Sequence, residues 1–210
     1  MSLASKRGHK FFLDLPVLKT VPEIWQEYKS LLTPYYNVEF PSDILIDTNG
    51  KHIGYGANKD AYMLGTEYVL LTPKHYAIYM GTDVKYHILL LAEYFKKERT
   101  FIIPKIYYSL DEPSSYILDF VPCDKDTHTK ACRGDSCYHY GQFLRFCILE
   151  CGIIPRDTES CMYKGKLHVF DFGDCLMIDG DRFIELENIK KMYTGLSYDV
   201  AAVLRGLEGS

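Results

Sequence analysis

Leu167-His-Val-Phe-Asp-Phe-Gly-Asp174 is the stretch on which the reading of this 210-residue chain turns. Leu167, Val169 and Phe170 form an apolar strand pattern that delivers the carboxylate of Asp171 at its end. Gly173 then lets the backbone turn sharply away. A carboxylate fixed in this way suits a hard cation such as magnesium. By itself the stretch equally suits a strand that ends in a polar turn. His168 alternates with the apolar residues and is expected on the solvent side.

Immediately upstream, Lys164-Gly165 reads as a tight turn joining two short strands, Cys161–Tyr163 and Lys166–Phe170. Before them lies Gly152-Ile-Ile-Pro-Arg-Asp157-Thr-Glu-Ser160, which follows the clearest helical pattern in the chain. Tyr140, Phe143, Leu144, Cys147, Ile148 and Cys151 fall on one stripe of a helix over 137–151, and Gly152 is placed to stop it. An Asp on a loop behind a packed helix is a candidate general base; Asp157 equally suits a turn or an N-cap. Further toward the N-terminus, residues 123–134 read as a polar connecting loop and Ser115–Pro122 as a buried strand. The run 83–97 reads as a helix with Val84, His87, Leu91, Tyr94 and Phe95 on its apolar face. Gly65-Thr66 marks a hairpin within 61–71. Ile53-Gly54-Tyr-Gly56-Ala-Asn58-Lys59 is a G-x-G turn between strand patterns, where backbone N–H groups can approach phosphate oxygens; a plain hairpin gives the same pattern. A helix over 22–32 precedes all of these. Strands come mostly first and helices mostly later, an α+β order.

Composition narrows the function classes. Hydrophobic residues are 47%, charged residues 25% and the net charge is −4, so the chain is globular and has no overall pull toward nucleic acid. The longest apolar run, Ile88-Leu-Leu-Leu-Ala92, is far below the ~20 residues of a membrane span. No secretory leader pattern stands at the N-terminus. The seven cysteines are an odd number, and Cys147 and Cys151 suit a helix core, so free thiols in a reducing cytoplasm are expected. His128, Cys132, Cys137 and His139 are too loosely spaced for a recognisable zinc site.

Taken together and in order, these segments resemble the protein-kinase superfamily, from about residue 53 to residue 205. Asp171-Phe-Gly is similar to the family's DFG triplet, Gly152-Ile-Ile-Pro-Arg-Asp157 to its catalytic-loop motif, and Ser115–Pro122 to the hinge strand. Ser197-Tyr-Asp199-Val is similar to the start of a large-lobe helix. The resemblance implies a bilobal protein-kinase-like fold with a small β-rich N-lobe and a truncated, mainly helical C-lobe. The expected divisions are an N-terminal extension over 1–50 packed on the small lobe through Trp25 and Leu31, an N-lobe over 51–122 and a C-lobe over 123–210. It implies ATP and Mg2+ (or Mn2+), with Asp157 and Asp171 catalytic and Asp171 and Ser160 on the metal. Gly54, Gly56, Asn58, Lys59, Lys74, Asp119 and Val121 form the implied ATP-binding set.

The chain departs from the pattern in several places. Pro155 stands where the family has His, and Ser160 is the nearest polar residue to the expected Asn. The phosphate-binding lysine falls near Leu71, leaving Lys74 or Lys59 to reach in. Glu93 is the one glutamate in the 83–97 helix, and it does not fit the ion-pair position. The implied function is a minimal atypical protein kinase, of a kind found among bacterial effectors and viral proteins. It would phosphorylate a partner protein's hydroxyl as a monomer, in the cytoplasm or in that of a host. A pseudokinase that binds a nucleotide or a partner is the alternative, and a small-molecule phosphotransferase a further one.

Overall fold

The structure is a computed structural model that describes residues 11–12, 19–40, 51–55, 58–74, 80–123 and 135–178. In chain order the elements are β1 (Phe11–Phe12), α1 (Val21–Tyr28), β2 (His52–Tyr55), β3 (Lys59–Leu64), β4 (Tyr68–Pro73) and α2 (Met80–Tyr94). They continue with β5 (Phe101–Ile102), β6 (Ile106–Tyr107), β7 (Tyr116–Asp119), α3 (Asp135–Arg145), β8 (Ile153–Tyr163) and β9 (Lys166–Ile178). The α+β expectation holds. The chain divides into two compact units, one of Pro16–Lys97 and Ile103–Pro122, the other of Met1–Leu15, Glu98–Ile102 and Cys123–Ser210.

The first unit is built on a five-stranded antiparallel sheet in the order β2-β3-β4-β7-β6. Gly65, at φ +59°, takes the left-handed turn between β3 and β4 that its missing Cβ permits. Helix α2 is inserted between β4 and β6 in sequence, and α1 packs on it. A capping box starts α1: Thr20 Oγ1 accepts from the Glu23 amide and Glu23 accepts from the Thr20 amide at 2.7 Å. The two helices approach closely at Gly81, where a Cβ would lie 2.1 Å from the Lys19 carbonyl oxygen. Trp25 is buried against Tyr108 with ring centroids 5.6 Å apart, as expected of a residue packed on the small lobe. Leu31 is exposed instead, because a 3-10 turn over Lys29–Leu31 rotates Leu32 inward in its place.

The second unit is organised around β9. It pairs with β8 and β1, and runs parallel to β5. Helix α3 widens into a π turn over Phe146–Cys151 and ends at Gly152, whose φ of +67° is the left-handed cap the sequence implies. Tyr140, Phe143, Leu144, Cys147 and Ile148 are buried, so the helical stripe faces the core. Phe101, Phe143, Phe146 and Phe172 form the aromatic centre of that core, with successive centroids 5.4–6.1 Å apart. The Arg99 guanidinium lies over the Phe146 ring and forms a two-pronged pair with Glu150 at 2.7 and 2.8 Å.

Three readings need correction here. The short strands of 161–163 and 166–170 are parts of a much longer hairpin, and residues 153–160 lie in strand β8 rather than in a loop. The cause is antiparallel pairing with β9, which satisfies the backbone of the whole segment. His168 is buried, not solvent-facing: its strand lies between β8 and β5, and its ring packs 5.9 Å from that of Tyr163. The cysteines are not all free: the Cα atoms of Cys123 and Cys161 lie 5.9 Å apart and their sulfurs are bonded. Cys147, Cys151 and Cys175 form no disulfide. Residues 41–50, 75–79 and 124–134, the helix read over 198–207 and the Ser197–Val200 motif lie outside the described residues. Among the described residues no helix is long and apolar enough to cross a membrane.

Candidate functional site

The first unit carries a buried charged cluster on the helix-facing side of its sheet. Register explains how it assembles. Ala61 lies opposite Leu71, Leu71 opposite Tyr116, and Lys59 opposite Pro73. Directly opposed residues share a face, as do residues two apart on one strand. Lys59, Ala61, Leu71 and Tyr116 therefore all point to one side. On that side Asp83, in the first turn of α2, pairs with the Lys59 ammonium. The Tyr116 hydroxyl donates to Asp83 Oδ2 and accepts from Lys59 Nζ at 3.1 Å.

Burial and charge compete in this cluster. Asp83 is 3% exposed and Tyr116 1%. Burial alone would push the Asp83 carboxyl up, but the Lys59 charge and the hydrogen bonds from Lys59 and Tyr116 outweigh it and hold it below the usual carboxylate value. One helical turn on, His87 is also buried. Burial pushes its imidazole down to about 4, against the pull of its bond to the Pro104 carbonyl and of Asp83. The ring is thus neutral near pH 7 and its Nε2–H donates to the Pro104 oxygen at 2.7 Å.

The lysine expected near Leu71 has a counterpart on the adjacent strand and the same sheet face. Lys59 has the buried acidic partner, whereas Lys74 pairs with the half-exposed Asp60 at 3.3 Å. Sequence reasoning missed Asp83. It searched α2 for a glutamate and met Glu93, which sits on the helix exterior and binds Lys96 at 2.6 Å. The missed signal was an aspartate four residues before a histidine in a mostly apolar helix.

The other members of the implied nucleotide set lie in the same unit. Gly54 stands on β2 opposite Ala61, and a Cβ there would meet nothing within 4 Å. The Asn58 carbonyl accepts from the Lys74 amide. Asp119 ends β7, and its carboxylate accepts from the Tyr107 hydroxyl at 2.8 Å and the Lys105 amide at 3.3 Å. Val121 follows two residues later and is half-buried. Gly56 lies outside the described residues.

The second unit holds Asp157, Ser160 and Asp171 on one hairpin. Asp157 pairs with Asp174 and Glu159 with Phe170, so residues 171–173 stand against Thr158 alone. The Asp-Phe-Gly triplet is therefore a bulge pushed out of the ladder. Phe172 anchors it: the ring is buried against Phe143 of α3. Asp171 takes φ +66°, a left-handed conformation that Asp tolerates better than most residues. Its side chain is half-buried. Thr158 is held from the other side by a 2.7 Å hydrogen bond with the Tyr140 hydroxyl. Strand alternation puts Ser160 on the Thr158 side, where it is buried. The Asp157 side chain lies outside the described residues.

Among the described residues no group of three His, Cys, Asp or Glu side chains is arranged for a metal ion. One half-exposed carboxylate on a fixed bulge fits magnesium, which binds through one or two protein carboxylates with phosphates and waters completing its shell.

No protein-family model matches the chain, and no curated protein matches it. Among solved structures it is similar to the aminoglycoside phosphotransferase APH(2'')-Ib bound to ADP, at 13% identity and TM-score 0.46, over 88% of this chain and 82% of that one. It is also similar to APH(2'')-IIa in its gentamicin complex, at 11% identity and TM-score 0.45, over 95% and 83%. The same enzyme in its ternary complex with streptomycin and ATP matches at 12% identity and TM-score 0.42, over 95% and 86%.

Proposed function

We propose that this chain is an ATP-dependent phosphotransferase that moves the γ-phosphoryl group to a hydroxyl of a partner protein. The observation that carries the reading is the buried Lys59–Asp83 pair. Phosphoryl transfer in kinase-like folds rests on a lysine fixed by an acidic residue of the adjacent helix, because catalysis is positioning and charge stabilisation. Here the lysine comes from the neighbouring strand and the acid is one methylene shorter.

In this reading residues 51–122 form the nucleotide lobe and 123–210 the catalytic lobe. Gly54, Gly56 and Asn58 present backbone to the phosphates and Lys59 neutralises their charge. Asp119 and Val121 border the adenine through their backbone, since the Asp119 carboxylate already binds Tyr107 and Lys105. Asp171 would hold the metal, with Ser160 as a second donor, and a magnesium ion bound there would supply positive charge to the phosphates. Asp157 accepts the proton of the attacking hydroxyl as the new O–P bond forms and the bond to the ADP oxygen breaks.

Two measurements test the proposal. Millimolar Mg-ATP raises the melting temperature by mass action. Incubation with radiolabelled ATP and cell lysate labels a protein, and Asp171→Asn lowers the labelling by about 10²–10³-fold. The absence of any thermal shift rejects nucleotide binding. A shift without labelling leaves a nucleotide-binding module, and labelling of added aminoglycosides instead of protein reassigns the acceptor.

A further inference from the structure

We infer that the Tyr116 hydroxyl is a positioning group for Lys59 and sets how strongly the chain holds the phosphates of a nucleotide; this rests on the phosphotransferase reading above. Tyr116 stands on β7, two strands away from Lys59, and reaches it because Leu71 and Ala61 lie between them on the same face. The small Ala61 leaves the path open. At the end of that path the hydroxyl meets both charges at once, donating to Asp83 Oδ2 and accepting from Lys59 Nζ at 3.1 Å. The ammonium also lies 5.8 Å from the centre of the Tyr116 ring.

A phenylalanine would fill the same volume, so packing alone does not call for the hydroxyl. Its chemistry does two things. Lysine is a point charge on a flexible stem, and a second acceptor fixes the direction of that stem. The O–H donated to Asp83 also spreads the carboxylate's charge, so the carboxylate grips the ammonium less exclusively. More of the positive charge then serves a second anion. A tyrosine bound to both members of an ion pair thus divides the lysine between its structural partner and an incoming phosphate.

The test compares Mg-ATP with adenosine, which shares the base and ribose but has no phosphates. In Tyr116→Phe the dissociation constant for Mg-ATP rises about tenfold, the size of one hydrogen bond to a charged group. That for adenosine stays within about twofold. A purely structural role would weaken both ligands together or neither, so an unchanged ATP-to-adenosine ratio overturns the inference. Should Tyr116→Phe fail to fold, site-specific 3-fluorotyrosine at position 116 keeps the hydroxyl and makes it a stronger donor. It shifts Mg-ATP affinity about twofold while leaving adenosine alone, and no change in either affinity overturns the inference. Wild-type protein that binds neither ligand overturns the phosphotransferase reading itself. Wild-type binding with an unchanged ratio in the variant removes only the role of Tyr116.

Discussion

Asp83 and Asp171 are both carboxylates at candidate reaction groups, and the molecule holds them by different means. Asp83 is 3% exposed and held by side chains: a lysine from β3, a tyrosine from β7 and the first turn of α2. Asp171 is half-exposed and held by backbone, on a bulge whose position is set by strand register and by the burial of Phe172. Where side chains hold the group, the same contacts serve stability and chemistry. Where a bulge in the ladder sets the place of the group, an isosteric change leaves the backbone that positions it intact. The two regions should therefore respond differently to substitution.

The largest effect is expected at the side-chain site. Lys59→Met leaves Asp83 buried without its counter-charge, which costs roughly 3–5 kcal/mol of stability and is read by chemical denaturation. Adding Asp83→Leu removes the orphaned charge and restores most of that loss, because a buried ion pair and an apolar pair of similar volume are close in energy. Phosphate binding does not return with it. Asp171→Asn, by contrast, is expected within about 1 kcal/mol of wild type, since Asn also tolerates the left-handed backbone. If the double variant is no more stable than Lys59→Met, the pair is not the source of the loss.

A smaller effect separates the regions by pH. His87 faces Asp83 and Lys59 as well as the Pro104 carbonyl, and its folded value of about 4 lies below the ordinary 6.5. As pH falls below 6.5 the unfolded chain takes up a proton that the folded chain refuses. Stability therefore drops between pH 6.5 and about 4, by about 3 kcal/mol in all, and this contribution levels off below that. Asp83 acts lower still: its depressed carboxyl contributes stability above its ordinary 3.8 that is lost as pH falls through the folded value. His87→Gln keeps a donor for Pro104 and does not titrate. Its stability curve should be flatter across the upper window, and an unchanged slope would assign acid sensitivity to other groups.

The two regions also differed in how far the sequence disclosed them. The Asp-Phe-Gly triplet, the stripe ending at Gly152 and the Gly65 turn are local signals, carried by residue type and period within a few positions. The Lys59–Asp83–Tyr116 cluster joins residues 24, 33 and 57 positions apart, and only strand register puts them on one face. A search that counts from a motif expects the lysine on its own strand, at Leu71, and has no means of seeing that the next strand supplies it. The Cys123–Cys161 bond escapes because its ends lie 38 positions apart and no local pattern joins them. Residues 153–160 are illegible in another way. Ile153-Ile-Pro155 followed by polar residues has no clean alternation, and its strand character comes from the partner strand. Alternation expects His168 on an open face, yet its strand lies between β8 and β5 and the side chain is buried.

The smallest effect on stability is expected at Gly54, and it sharpens the comparison most. Gly54 lies outside the left-handed region and has open space where a Cβ would go, so neither conformation nor packing requires glycine there. Gly54→Ala should change stability by no more than about 0.5 kcal/mol, or raise it slightly by restricting the unfolded chain. If backbone at this turn approaches phosphate oxygens, the added methyl occupies the space they need. Mg-ATP affinity then falls while adenosine affinity and the melting temperature of the free protein hold. That result would make β2 a third kind of region, in which function rests on an empty space and stability does not register it. Equal binding of Mg-ATP by Gly54→Ala and wild type would remove the glycine turn from the site and leave Lys59 as the phosphate contact of its unit.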